Sequence, residues 1–258
     1  MFLDVAVPAG KEGHSYAGGT VKKANLLLLA IVLTAANCFA QYSYQAIDFT
    51  GAVRTRIFAV NNRGEFVGAF WDTANNAHAI FFDGKDLARV DPNGVIGQST
   101  RSWAYALNDH GQMVGRILDS SGVFHGYLFD GTVITLMDYP GAASTESYGI
   151  NNRGDIIGVF HDTGGILHSF QWHDGTFTQT DLPNGETVPL SINDQGEAVG
   201  EFADVPNTAG HGYLQLKNGS FTLYDVPGAP ANSTFFISIN NRNDILNIFQ
   251  QMATRTLF

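Results

Sequence analysis

The sequence predicts an all-β protein, a β-propeller of five four-stranded blades, closed by pairing an N-terminal strand with the C-terminal unit. Three observations predict it. First, Ser147 to Gly185 contains four short runs rich in Ile, Val, Phe, Tyr and Thr, separated by Asn-Asn-Arg-Gly, Asp-Thr-Gly-Gly, Asp-Gly and Pro-Asn-Gly turn signals. Runs of that length between such turns form antiparallel hairpins, and none shows a helical period. Second, the pattern recurs: a turn asparagine falls at Asn61, Asn108, Asn151, Asn193 and Asn240, at gaps of 47, 43, 42 and 47 residues. A four-stranded unit repeating every 40–45 residues or so marks a propeller blade. Third, the ends complement one another. Strands are named A to D in each unit, with the asparagine turn joining A and B. Tyr44 to Phe49 reads as a D strand with no A before it, and Phe235 to Phe258 reads as A, B and part of C. Pairing them would leave no exposed edge.

The N-terminus comes first in the chain. Lys22-Lys23, the apolar run Leu26 to Ala36 and Ala40 make a signal peptide cut before Gln41. The apolar run is too short to span a bilayer comfortably. Residues 1–40 are therefore an extension and signal peptide, with 1–21 expected to be unstructured, and 41–258 form a single domain. Cys38 admits a lipoprotein reading that Asn37 disfavours, and a mature chain starting at Gln41 has no cysteine. The expected location is secreted or extracellular, with the periplasm or cell surface open.

Along the repeats, the asparagine turns are expected to carry positive-φ chemistry. A glycine stands four residues into strand B at Gly68, Gly115, Gly158 and Gly200, with Asn247 in unit five. A histidine opens strand C at His78, His125, His168 and His211. Strand D ends in Asp-x-Pro at Asp138, Asp181 and Asp225. Equivalent histidines on different blades lie too far apart to share a metal ion, so their expected role is hydrogen bonding between strands or to a neighbouring blade. The pattern resembles the bacterial extracellular HAF repeat family, carried here by His78-Ala79-Ile80, His125-Gly126-Tyr127, His168-Ser169-Phe170 and His211-Gly212-Tyr213. The resemblance covers about residues 44–258 and implies secretion and a propeller-like fold. It implies little about activity.

The net charge is −10, without a Lys/Arg cluster, which argues against nucleic acid or an anionic membrane surface as a partner, and the short apolar run argues against stable membrane insertion. No cofactor or metal motif is recognisable, and a monomer is expected. A–B turns are uniform in length, whereas B–C and D–A connections vary. Function concentrates on variable loops held by a rigid scaffold, so the ligand face is expected there. The candidate binding residues are Trp71, Asp72, Asp119, Asp162 and Asp204 at the ends of strands B, with Trp103, Glu146 and Phe235 at the mouths of strands A. Aromatics and acids together suit carbohydrate, and a protein ligand is equally open. The aspartates have a second reading as caps of their own turns, and Trp103 one as a core residue. A binding or structural module is the leading class. A propeller-type glycoside hydrolase or lyase is the alternative, with Glu146 and Glu201 as the acids that occur in one unit only.

Overall fold

The computed structural model describes residues 7–8, 42–43, 46–90, 99–204, 210–228 and 233–249. Two compact units divide the chain, Met1–Asp48 and Phe49–Phe258. In the first, β1 (Val7–Pro8) pairs antiparallel with β2 (Tyr42–Ser43). That ladder departs from the unstructured reading of residues 1–21. The signal-peptide residues 22–40 lie outside the described residues.

The second unit is all β. Unit one is β3 (Arg54–Val60), β4 (Phe66–Trp71), β5 (Ala77–Phe82) and β6 (Leu87–Arg89). Unit two is β7 (Ser99–Leu107), β8 (Met113–Asp119), β9 (Phe124–Phe129) and β10 (Ile134–Leu136). Unit three is β11 (Ser144–Ile150), β12 (Ile156–His161), β13 (Leu167–His173) and β14 (Thr176–Gln179). Unit four is β15 (Gly185–Ile192), β16 (Ala198–Asp204), β17 (Gly210–Gln215) and β18 (Phe221–Tyr224). Of unit five, β19 (Thr234–Ile239) and β20 (Ile245–Phe249) are described. Units one to four are antiparallel meanders with strands in chain order.

The core is a series of interfaces between successive units. The residue before the strand-B glycine in one unit packs with the residue before the turn asparagine in the next. Val67 clusters with Leu107, Val114 with Ile150, Ile157 with Ile192, and Val199 with Ile239. The periodicity of 2 in each strand makes this possible, because alternate residues face opposite neighbours and both faces are buried.

The strand-B glycine has a physical cause in strand A. Each A strand bulges at the third residue before the asparagine, as at Ala104/Ala106, Ser147/Gly149 and Pro189/Ser191. A bulge bends its strand and re-aims a carbonyl. A Cβ on Gly158 would lie 2.0 Å from the Glu146 carbonyl oxygen, and one on Gly115 only 1.9 Å from that of Trp103. The aromatic two residues after the histidine occupies the opposite position, so the Phe170 ring would be 2.9 Å from the same Gly158 Cβ. Only glycine fits between bulge and ring.

Each histidine ties its own sheet together. His168 Nδ1 meets Asp181 Oδ2 at 2.6 Å, and its Nε2 lies 3.7 Å from Asp162. His125 bridges Asp138 and Asp119 in the same way, and His211 bridges Asp225 and Asp204. The recurring Asp-x-Pro and the aspartate ending strand B are thus two anchors of one imidazole. The bond to Asp181 raises His168 above its ordinary 6.5. The Ile166 amide bond, with His168 contributing, lowers Asp162. Burial works against Asp181, but bonds from His168 and the Ser169 amide outweigh it and lower that group as well. A raised histidine stabilises most below pH 6.5 and loses that contribution as pH rises through its folded value. The lowered aspartates lose theirs only as pH falls below 3.8. The melting temperature should therefore plateau near pH 4–6.5 and decline above it. His168→Gln should flatten the alkaline side of a melting profile taken from pH 4 to 9. An unchanged slope would mean that these pairs do not couple to folding.

The expected closure into five blades is not what the described residues show. The innermost strands of units one to five pack each on the next, but β19 and β3 have no comparable packing. The apolar residues that such a closure would bring together stay open, Val60 at 51% and Leu246 at 50% exposed. The expected pairing of Tyr44–Phe49 with the C-terminal unit rests partly on residues 44–45 and 250–258, which lie outside the described residues. Phe49 itself behaves as the middle residue of Asp-x-Pro does elsewhere. Its ring stacks on Phe70 at 4.1 Å and its amide donates to Thr55 Oγ1, as Tyr139 does with Phe160 and Thr145.

Candidate functional site

The five asparagine turns converge. Asn151 Oδ1 accepts the amides of Arg153 and Asp155, closing its own turn. Its Nδ2 donates to Asp155 Oδ2 at 2.7 Å and to the Asn193 carbonyl of the next unit at 2.9 Å. The same head-to-tail bond runs from Asn61 to Asn108, from Asn108 to Asn151, and from Asn193 to Asn240. Each turn carries the expected positive-φ residue. Positive φ falls on Gly64, Gly111, Gly154, Gly196 and Asn243 three residues later, and asparagine is a non-glycine residue that tolerates it. The acceptor after the glycine also recurs, as Glu65, Gln112, Asp155, Glu197 and Asp244.

A second network joins the next residue of each turn. Asn62 donates its amide and Nδ2 to Asp109, and Asn152 donates Nδ2 to both Asp109 and Asp194. Asn241 donates Nδ2 to Asp194. The Asn62 bonds hold Asp109 below its ordinary value. Together the turns line a depression of about 470 Å³. Val60, Leu107, Ile150, Ile192 and Ile239 give it apolar flooring, and Asn62, Asp109, Asn152, Asp194 and Asn241 give it a polar rim. It lies at the uniform end, opposite the loops expected to carry function. Equal turns looked featureless in sequence, yet equality lets them converge on one place.

Farther along the same strands, the bulge residues meet across units. Phe58 and Tyr105 rings are 5.4 Å apart, as are Tyr105 and Tyr148. Behind them Arg116 Nη1 donates to Glu146 Oε2 at 2.6 Å, and Tyr148 donates to the same oxygen at 2.7 Å. The guanidinium lies 4.6 Å from the Trp103 ring centre and 4.4 Å from that of Phe124. Burial pushes Tyr105 up to about 12, with Arg116 opposing. Burial alone would lower Arg116, and Tyr105 and Glu146 more than offset it.

The structure therefore brings Trp103 and Glu146 together through Arg116. It buries Trp71 in the same apolar cluster as Trp103, with Arg54 4.0 Å over the Trp71 ring. Both tryptophans are core residues, 8% and 9% exposed, and not open mouth residues. Strand A is innermost, and the next unit covers it. Asp72, Asp119 and Asp162 accept amides two and four residues on, so each closes its own loop. Asp204 stands 3.6 Å from His211, and the loop that follows it lies outside the described residues. Phe235 is half-buried opposite Ile248. Among the described residues no three His, Cys, Asp or Glu side chains cluster as metal ligands. Sequence reasoning missed Arg116, although a signal existed. It is a lone arginine where the other units have Ala69, Val159, Glu201 and Ile248.

No family model matches the chain, and no curated protein does. Solved structures resemble it at low identity. A mutant of the Aleuria aurantia lectin, in complex with alpha-methyl-L-fucoside, is 12% identical with a TM-score of 0.47, covering 77% of this chain and 70% of the lectin. A mutant of AofleA from Arthrobotrys oligospora is 11% identical with a TM-score of 0.46, covering 80% and 69%. At these values the likeness carries no argument about what this chain binds.

Proposed function

We propose that the chain is an exported β-propeller of the HAF-like kind that serves as a non-enzymatic binding module for carbohydrate. The observation that carries this is the depression at the asparagine turns, a concave site with apolar flooring and convergent polar groups. Amides and carboxylates alternating around the rim can accept and donate to several hydroxyls at once, which suits a sugar. The similar solved structures include a fucose-specific lectin, which agrees in kind with this reading without adding weight to it. The hydrolase reading has less support. It needs two carboxyls about 5–9.5 Å apart. Glu146 is taken up by Arg116 and Tyr148. Burial raises Glu201 with no neighbouring charge in play, and it sits opposite Val188 in unit four.

A glycan array with the full chain, followed by titration of the strongest binder, tests the proposal. Asn62→Ala should weaken binding at least about tenfold, which is about 1.4 kcal/mol. Asn62 is an exposed rim residue, so its melting temperature should move little. An array without binders, or an affinity unaltered in the folded variant, would overturn the site.

A further inference from the structure

Three series of contacts run through the units, and all three stop at the same seam between unit five and unit one. The first is apolar. In units one to four the residue before the strand-B glycine is buried by the next unit, and Val199 is 0% exposed. Its counterpart in unit five, Leu246, is 50% exposed. On the far side of the seam, Val60 is 51% exposed, whereas Leu107, Ile150, Ile192 and Ile239 are buried. Were unit five seated on unit one, Leu246 and Val60 would cover each other.

The second series is the head-to-tail asparagine bond. It begins at Asn61 and ends at Asn240, whose Nδ2 donates, among the described residues, to Asp244 alone. Asn108, Asn151 and Asn193 are buried, and Asn240 is exposed. The third series is the alternation Asn62, Asp109, Asn152, Asp194, Asn241. Each asparagine in it donates to an aspartate, and each aspartate amide donates to the following asparagine oxygen. Alternation around a ring closes only with an even number of members. Five members leave two asparagines facing each other across the seam.

We infer that the seam is the docking surface for a sixth repeat unit of the same design, carrying aspartate at the second turn position. Its two faces need apolar residues at the positions of Leu246 and Val60. Its aspartate carboxylate accepts from Asn62 Nδ2 and from the Asn241 amide, and its own amide donates to Asn62 Oδ1. Its turn asparagine accepts from Asn240 and donates to the Asn61 carbonyl. All three series then run without interruption. The inference stands on the packing of the repeats and is independent of what the depression binds.

A tandem extension tests it. Residues 214–258 are appended to the full chain after Phe258, in the register that matches Phe258 to Tyr213. One version keeps asparagine at the added copy of position 241, and the other carries aspartate there. The aspartate version should raise the melting temperature by about 6–12 °C and abolish most binding of a hydrophobic dye. The asparagine version should fall clearly short of it. No rise, or equal rises, would overturn the assignment. A second measurement on the unextended chain does not depend on the extension folding. Leu246→Ser and Val60→Ser should leave the melting temperature within about 2 °C, while Val199→Ser lowers it by at least about 6 °C. Equal losses at all three would show the seam already closed. Sedimentation showing a stable dimer that hides both residues would assign the seam to a second copy and overturn the proposal.

Discussion

Gly158→Ala is expected to destabilise the protein by about 3 kcal/mol or more, at the upper end of overpacking costs. The new Cβ would sit 2.0 Å from the Glu146 carbonyl oxygen, which belongs to the paired strand, and cannot rotate away. Relief requires the bulge at Ser147/Gly149 to move, and that bulge aims Tyr148 at Glu146. For a domain of this size the melting temperature should fall by about 6–12 °C. Gly122→Ala is the comparison. That glycine has φ of +84° and nothing within 4 Å of an added Cβ, so only backbone strain of about 1–2 kcal/mol applies. Equal effects in the two variants would show that turn conformation, and not the bulge, demands glycine in this fold.

Asn151→Ala should cost about 3 kcal/mol, read by denaturant unfolding. It removes four hydrogen bonds from a buried side chain, each worth about 0.5–1.5 kcal/mol net. It also leaves the Asn193 carbonyl and the Asp155 carboxylate short of a donor. Asp155 retains Arg153 and His173, which limits the loss. Asn240→Ala at the seam should cost only about 1 kcal/mol, because Asn240 is exposed and makes no inter-unit bond from its Nδ2 among the described residues. Indistinguishable losses would contradict the role of the inter-unit bond.

Much of the architecture was legible from local chemistry. Asn-x-x-Gly and Asp-Gly turns, alternating apolar residues and a repeat near 45 residues determine antiparallel meanders whatever surrounds them. Those signals act between residues close in the chain. The pairing of His125, His168 and His211 each with two aspartates was half legible, since all three residues recur together and only their purpose was hidden. The purpose of the turn asparagine was invisible, because its decisive partner is 42–47 residues away, in another unit.

The site fared likewise. Trp71 and Trp103 stand at strand ends in sequence, where exposure is the natural expectation, yet neighbouring units bury them. Glu146 was legible as a singular acid, and its bond to Arg116 was not. By itself the sequence determined the strands, their turns and their order, because those depend on short-range backbone and side-chain preferences. The tertiary structure alone decided which turns converge, which carboxylates remain available and whether five units close. Those outcomes depend on the angle between successive sheets, which arises from the summed packing of many side chains and leaves no mark at any one position.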